Sequence, residues 1–341
     1  MRKNYPHLMA YAIFIFCIFS VPSAIAHSPL ISVENGRLNE AMFISDPTKS
    51  WAIYGELHEG REVDYYRFEI EKGQKIFISL MKPVNPEDKD FMPGFVLMGP
   101  GLNKLGNIPD YVEQPAGANT IVVMGVQPEE ATYEPFAPSS FYQLAQLDQP
   151  APVSGNFYIA VYESDRGGHY SLALGEREVF SLAEWILIPV SLISIYQWEG
   201  QRLFLIISPI VVTIAIGLMF VWRKNRMPLS LFELAGILAG LSFMGTGFMF
   251  LFQMVLALSH TQLVQEVVIT IILALFPILL GIKVIRIIMK NRGKVDLRKR
   301  AYLAIMGILA LFVWAGFLAG PVLAVLASVI PDPENRRQKI K

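Results

Sequence analysis

The stretch Asp64-Tyr65-Tyr66-Arg67-Phe68-Glu69-Ile70 puts Tyr66, Phe68 and Ile70 on one face of an extended chain and Tyr65, Arg67 and Glu69 on the other. A period of two with one polar face belongs to an antiparallel sheet packed on a single side. Six neighbouring runs carry the same strand signal: Ala52–Leu57, Lys75–Leu80, Gly94–Met98, Thr120–Gly125, Phe157–Tyr162 and His169–Leu174. In the last of these, Tyr170, Leu172 and Leu174 alternate with His169, Ser171 and Ala173. Turn residues punctuate the runs at Glu59-Gly60, Lys72-Gly73, Ser154-Gly155-Asn156 and Arg166-Gly167-Gly168. Short strands so spaced predict a β-sandwich over residues 27–178. Two stretches rich in Pro and acidic residues, 82–93 and 126–153, are expected to be surface loops.

Composition sets the sandwich apart from the rest of the chain. Of 341 residues, 53% are hydrophobic and only 17% charged, against about 25% charged in ordinary soluble proteins. That excludes a disordered chain and argues against a simple cytosolic enzyme. Residues 27–200 hold 11 Lys and Arg against 24 Asp and Glu, and the remainder holds 18 against 5, so a net charge of zero conceals two opposite halves. An acidic surface repels phosphates, so nucleic-acid binding is not expected. Arg2, Lys3, the apolar run Leu8–Val21 and Ala24-Ile25-Ala26 form the pattern of a signal peptide over residues 1–26. An uncleaved signal anchor is the alternative. The single cysteine, Cys17, falls inside this segment, so no disulfide or thiolate site is expected in the mature chain.

Beyond residue 178 the pattern changes. Residues 179–202 carry Trp185, Tyr196 and Trp198 around short apolar turns and predict an interfacial linker helix. Leu203–Trp222, Leu229–Leu258, Leu263–Met289 and Ala301–Ile330 each reach spanning length, predicting an all-α four-helix transmembrane domain over 203–330. Arg223, Lys224 and Arg226 follow the first span, and Lys290, Arg292, Lys294, Arg298, Lys299 and Arg300 lie between the third and fourth. The loop Ser259–Gln262 has neither Lys nor Arg. Basic loops stay in the cytoplasm, so the sandwich is expected outside the cell membrane. Four spans would also place the tail 331–341, with Arg336, Arg337, Lys339 and Lys341, outside, against the rule. Re-entry at Gly316–Pro321 is the alternative.

The segments Tyr54-Gly55-Glu56-Leu57, Asp64-Tyr65-Tyr66-Arg67-Phe68 and Lys72-Gly73-Gln74 resemble the bacterial pre-peptidase C-terminal domain. So do Gly155-Asn156-Phe157-Tyr158-Ile159-Ala160-Val161 and Gly168-His169-Tyr170-Ser171-Leu172. The resemblance implies a small jelly-roll-like sandwich acting as a noncatalytic accessory module of exported enzymes. Phe91-Met92-Pro93-Gly94-Phe95 departs from the family's Asp-containing strand, the 126–153 stretch has no counterpart, and no peptidase domain accompanies it.

Candidate chemistry is sparse. Ser230-Leu231-Phe232-Glu233 matches a capping box. Gly236/Gly240 and Gly316/Gly320 have the spacing of close helix contacts. Lys283 and Arg286 are expected to snorkel to headgroups. His260, Gln262, Gln265 and Glu266 form a polar outer loop, and Glu56, Glu59, Glu62 and Asp64 an acidic face, with weak calcium binding as its alternative. Cleavage after Ala26 would make His27 the N-terminus, a feature that resembles the histidine-brace copper proteins, with His58 and His169 as candidate further ligands. No Gly-x-Ser-x-Gly elbow, His-Glu-x-x-His helix or phosphate-binding loop is present in the sequence. The expectation is a bilayer-embedded protein whose sandwich binds a protein or glycan without catalysing a reaction; extracytoplasmic copper binding is the second reading.

Overall fold

The computed structural model describes residues 27–224, 229–290 and 296–330. Residues 1–26, with the expected signal peptide and Cys17, lie outside the described residues, as do Arg226, Arg292, Lys294 and the tail 331–341.

Among the described residues eleven strands form two sheets. The first sheet orders β1 (Ser28–Ile31), β3 (Trp51–Glu59), β11 (Arg166–Leu174), β5 (Lys75–Pro83), β9 (Ser139–Pro150) and β8 (Thr132–Glu134). The second orders β2 (Met42–Ile44), β4 (Val63–Ile70), β10 (Gly155–Tyr162), β6 (Gly94–Gly99) and β7 (Asn119–Val123). Pairing is antiparallel except at two edges, where β1 runs parallel to β3 and β2 to β4. Ile53, Ile78, Leu80 and Leu172 of one sheet meet Phe68, Phe95, Phe157 and Ile159 of the other in one core, with Phe68 and Phe157 stacked at 6.0 Å. All seven expected strands are present within a few residues of their expected ends.

The β4 face expected to be polar is covered at Tyr65, while Arg67 is half-buried and Glu69 exposed. Tyr65 is as buried as Tyr66, because Val112 and neighbours from the 100–118 segment pack over Val96, Met98 and Tyr162. Neither expected surface loop is simply a loop. The 126–153 stretch supplies β8 and β9, and β9 pairs with β5 along its length. A bulge opposite Leu80/Met81 leaves Leu144 out of register, which breaks the period of two that a sequence pattern needs. In the 82–93 stretch, the buried Lys82 ammonium donates to the carbonyls of Asp88, Lys89 and Phe91 at 2.9, 2.9 and 2.8 Å and organises the turn around itself.

Six helices follow among the described residues: α1 (Leu182–Trp198), α2 (Leu203–Lys224), α3 (Leu231–Leu258), α4 (Val267–Met289), α5 (Leu297–Phe312) and α6 (Ala319–Val329). Three of them, α2, α3 and α4, are long and apolar enough to cross a membrane. The fourth expected span is corrected: Ala301–Ile330 is not one helix but α5 and α6, of 16 and 11 residues, separated by a turn. Trp314, Gly316 and Phe317 have φ of 56°, 71° and 51° there, a conformation no helix continues through.

The two halves fold back on each other. Arg300 near the start of α5 donates to the Ser328 carbonyl near the end of α6, and a Cβ on Gly307 would meet Pro321, Ala324 and Val325. This hairpin rests on α3, where Gly316 and Gly320 lie against Phe243 and the Gly316 amide donates to Thr246 Oγ1 at 2.8 Å. Ile330 therefore ends beside the start of α5. Helix α3 is central and largely buried, whereas α2 exposes most of its apolar surface. Gly240 and Gly281 let the α3 and α4 backbones touch, as the small-residue spacing at Gly236/Gly240 predicts. The Ser230–Glu233 capping box is formed, and a second one, Ser181–Glu184, opens α1.

Candidate functional site

The sandwich is stapled to the helices by side chains rather than tethered to them. Tyr133 of β8 hydrogen-bonds Thr270 of α4 at 2.6 Å, and Thr270 donates onward to the Pro135 carbonyl at 2.7 Å. Gln201, just before α2, and Gln253 of α3 exchange two amide hydrogen bonds, of 2.9 and 2.8 Å. The Trp198 indole of α1 donates to the Gly55 carbonyl of β3 at 2.9 Å. Lys49 pairs with Glu184 at 2.5 Å. Helix α1 thus lies between sandwich and bundle. At its other end Trp185 donates to the Phe312 carbonyl, and Trp314 donates back to the Trp185 carbonyl, each at 3.0 Å.

These staples surround a cavity of about 150 Å³. Its lining mixes aromatic rings (Tyr54 from β3, Phe136 and Phe141 from the β8–β9 region, Trp185 and Trp198 from α1, Trp314 from the hairpin turn) with aliphatic side chains and the hydroxyls of Ser139, Ser140, Ser171 and Ser191. The rings brace one another edge to face, Tyr54 on Trp198 at 4.9 Å, while Trp185 and Trp314 meet at 4.8 Å. A void of that size has room for a benzene-sized group.

Two carboxyl groups enter this cavity. Glu134 ends β8, and its carboxylate accepts from the Phe136 amide at 3.0 Å. Glu199 follows the last residue of α1 and is held by Gln201 at 3.4 Å and by Ser139. Enclosure pushes the Glu134 carboxyl up to about 7, its backbone hydrogen bonds opposing the shift. Burial pushes Glu199 up to about 8, and the nearby Glu134 charge adds to it. Both residues keep intermediate surface exposure because they line a hollow; enclosure by protein decides their ionisation. No Lys or Arg lines the cavity among the described residues. The Tyr196 hydroxyl, fully buried and in electrostatic reach of both carboxyls, has no hydrogen-bond partner among the described residues.

The three histidines singled out in the sequence are distributed along the first sheet. His27 sits at the cavity rim, bonded through Nδ1 to Ser50 Oγ at 2.6 Å, and burial lowers its pKa to about 4. His169 lies opposite Glu56 on β3, six residues or roughly 20 Å of strand from Ser50. There Asp88 at 3.2 Å raises the His169 pKa through its hydrogen bond. His58 is two residues further along β3, exposed, beside Glu62. His58 and His169 share one end of the sheet and His27 occupies the other. Among the described residues no three His, Cys, Asp or Glu side chains cluster as a metal site.

The acidic face divides likewise. Glu56 and Glu59 are solvated, while Asp64 is buried and accepts from Tyr170, which in turn bonds Tyr66 at 2.5 Å. Between α3 and α4, Gln262 donates to Glu130 of the sandwich. Sequence reasoning singled out neither Glu134, hidden in an irregular strand, nor Glu199, which follows the last residue of α1. The Ser-x-x-Glu signature at 181–184 was the available signal for where α1 begins.

No family model matches the chain, and no curated protein matches it. Among solved structures it is similar to the pre-peptidase C-terminal domain of collagenase from Bacillus anthracis, at 21% identity over 40% of this chain and 97% of that chain, with a TM-score of 0.22.

Proposed function

We propose that this is a multi-pass membrane protein that holds a noncatalytic sandwich outside the cytoplasm and binds a ligand where sandwich and helices meet. The hollow seam carries this reading: a cavity walled by both halves couples an occupant to the sandwich and to the membrane helices together. Sidedness is supported by charge. Arg223, Lys224, Lys290, Arg298, Lys299 and Arg300 gather at the bundle end remote from the sandwich, where the positive-inside rule puts the cytoplasm. A hairpin in place of a fourth span brings the end of α6 back to that same end, with Arg300 bonded to the Ser328 carbonyl.

Two experiments on the full chain in native membranes test it. In a Cys17→Ser background, a cysteine at Glu69 is expected to react with an impermeant maleimide added outside intact cells, and one at Lys290 is not; the reverse labelling overturns the orientation. A photoreactive amino acid at Phe136 is expected to capture a ligand that the same probe at Phe43, on the far sheet edge, does not. Capture at Phe43 alone, or at neither position, removes the seam as the binding site.

A further inference from the structure

We infer that the seam cavity is a channel for a single long acyl chain, its uncharged polar head lying among Glu134, Glu199 and Ser139 and its methyl end at Trp185 and Trp314. This deepens the seam reading and rests on it. Shape carries the inference. One stripe of α1 lines the cavity along most of the helix, namely Trp185, Ile188, Ser191, Leu192, Ile195 and Trp198. At about 1.5 Å per residue, that stripe is about 20 Å long. On the sheet side the lining runs from Pro29 of β1 past Ala52, Ser171 and Met81 to Phe141 of β9. Those five strands lie side by side, and spacings of about 4.8 Å carry the lining about 19 Å across the sheet. The room open to the centres of water molecules is about 150 Å³. Spread over that length, with a water radius of about 1.4 Å added, it is a bore about 3 Å in radius. One methylene chain fits; two chains or a sterol skeleton do not. Carbon–carbon bonds of about 1.5 Å advance an extended chain about 1.25 Å per carbon, so the channel holds about 16 carbons.

The lining suits such a chain. Ala52, Ser171 and Ser191 carry the smallest side chains along the middle and leave it open, while Ile188, Leu192 and Ile195 give the α1 side an apolar surface. The two ends differ. Where α1 closes, Glu134 and Glu199 stand with Ser139, and no Lys or Arg lines the cavity among the described residues. An anionic head there would meet two acids without a counter-charge, which enclosure penalises. An ester or hydroxyl head finds hydrogen-bond partners in the serine and in carboxyls that can donate when protonated. At the other end, Trp185 donates to the Phe312 carbonyl, and the exposed Phe312 ring continues with Ile308 and Leu309 along the apolar flank of α5. His27 lies at this end, near the Lys49–Glu184 pair, with Nδ1 engaged by Ser50; burial keeps it neutral, so it adds no charge. An acyl chain in this channel touches sandwich and helices together, whether it belongs to a membrane lipid or to a single-chain amphiphile.

The test uses the purified full chain in digitonin, a detergent without an n-alkyl chain. Monopalmitoylglycerol with a diazirine near its methyl end is expected to label Trp185, Ile188 or Trp314. The same ester with the diazirine beside the carbonyl is expected to label Phe136 or Phe141. Unlabelled monopalmitoylglycerol is expected to compete at least about tenfold better than monooctanoylglycerol, which fills about half the channel. Ser191→Phe, midway along the bore, is expected to cut labelling about tenfold, while Ser194→Phe, on the same helix but outside the cavity, leaves it unchanged. Labelling only outside the cavity, equal competition by the octanoyl ester, or equal competition by palmitate at pH 8.5 overturns the inference, and each is read on the unaltered chain. In nanodiscs, phosphatidylglycerol with the methyl-end diazirine on one chain labels the same residues if a membrane lipid is the source; labelling by the monoacylglycerol alone identifies a free amphiphile. Capture of another ligand from Phe136 without acyl labelling leaves the seam reading standing and removes only the chain.

Discussion

The interior of the sandwich and the seam beneath it enclose the same materials, aromatic rings and carboxyl groups, and treat them in opposite ways. Inside the sandwich, Asp64 accepts from Tyr170, Tyr170 bonds Tyr66, and Tyr66 reaches Ser32 at 3.0 Å, while Phe68 and Phe157 fill the space around them. Every member of that chain has a partner, which is what burial of polar groups demands. At the seam, Glu134 and Glu199 oppose each other, the Tyr196 hydroxyl has no partner among the described residues, and the rings stand around a void. A protein interior packs to the density of organic crystals, so the contrast separates what holds the fold from what is left open for an occupant.

Truncating a ring in each place breaks or sharpens this comparison most strongly. Phe157→Ala, in the filled core, is expected to cost about 4 kcal/mol. Phe136→Ala, on the wall of an existing void, is expected to cost about 1 kcal/mol, because few contacts are lost. Equal losses of thermal stability would mean that the seam is packed like the core.

The pH dependence comes next. Asp64, Glu134 and Glu199 all have folded pKa values raised by burial, to about 6, 7 and 8. The native state therefore binds more protons than the unfolded chain above the normal carboxyl range, and stability falls as pH rises through each window. The slope is at most about 1.4 kcal/mol per pH unit per group. Asp64 stops contributing near pH 6, so a loss of stability between pH 6 and 8.5 belongs to the seam, and Glu134→Gln with Glu199→Gln is expected to flatten it. His169 has a raised pKa as well, and its contribution, present below the normal histidine value, also fades as pH rises. His169→Asn isolates that part.

The smallest expected effect is the cleanest contrast. Tyr170→Phe removes a donor from Asp64 and is expected to cost about 2 kcal/mol. Tyr196→Phe removes a hydroxyl that bonds nothing described and is expected to be neutral within about 0.5 kcal/mol. A large loss from Tyr196→Phe would reveal a partner at the seam that the contrast does not allow for.

Much of the sandwich was legible because its strands alternate and its turns carry Gly. The parts that were not have identifiable causes. Strands β1 and β2, of 4 and 3 residues, are too short to display a period. Strand β9 is long but its pattern is interrupted at the bulge, and Lys82 reads as a surface charge until three carbonyls are seen around it. Of the candidate site, sequence marked His27 and the tryptophans of α1 but joined them to no acid. Glu134 and Glu199 are separated by 65 positions, and only docking of the sandwich on the helices brings them together.

Composition and spacing alone determined that this chain is a β-sandwich joined to apolar helices with its basic residues set apart, because burial of apolar surface and backbone satisfaction in lipid are local demands. Tertiary structure decided where an apolar stretch runs on as one helix and where it turns back. Pro209 and Pro277 sit inside unbroken helices, yet the chain before Pro321 breaks. The difference lies in what receives the backbone: at Gly316 the amide finds Thr246 of a neighbouring helix, and Trp314 finds Trp185. Partners that lie far away in sequence supply the free energy for that turn, and for the cavity it closes.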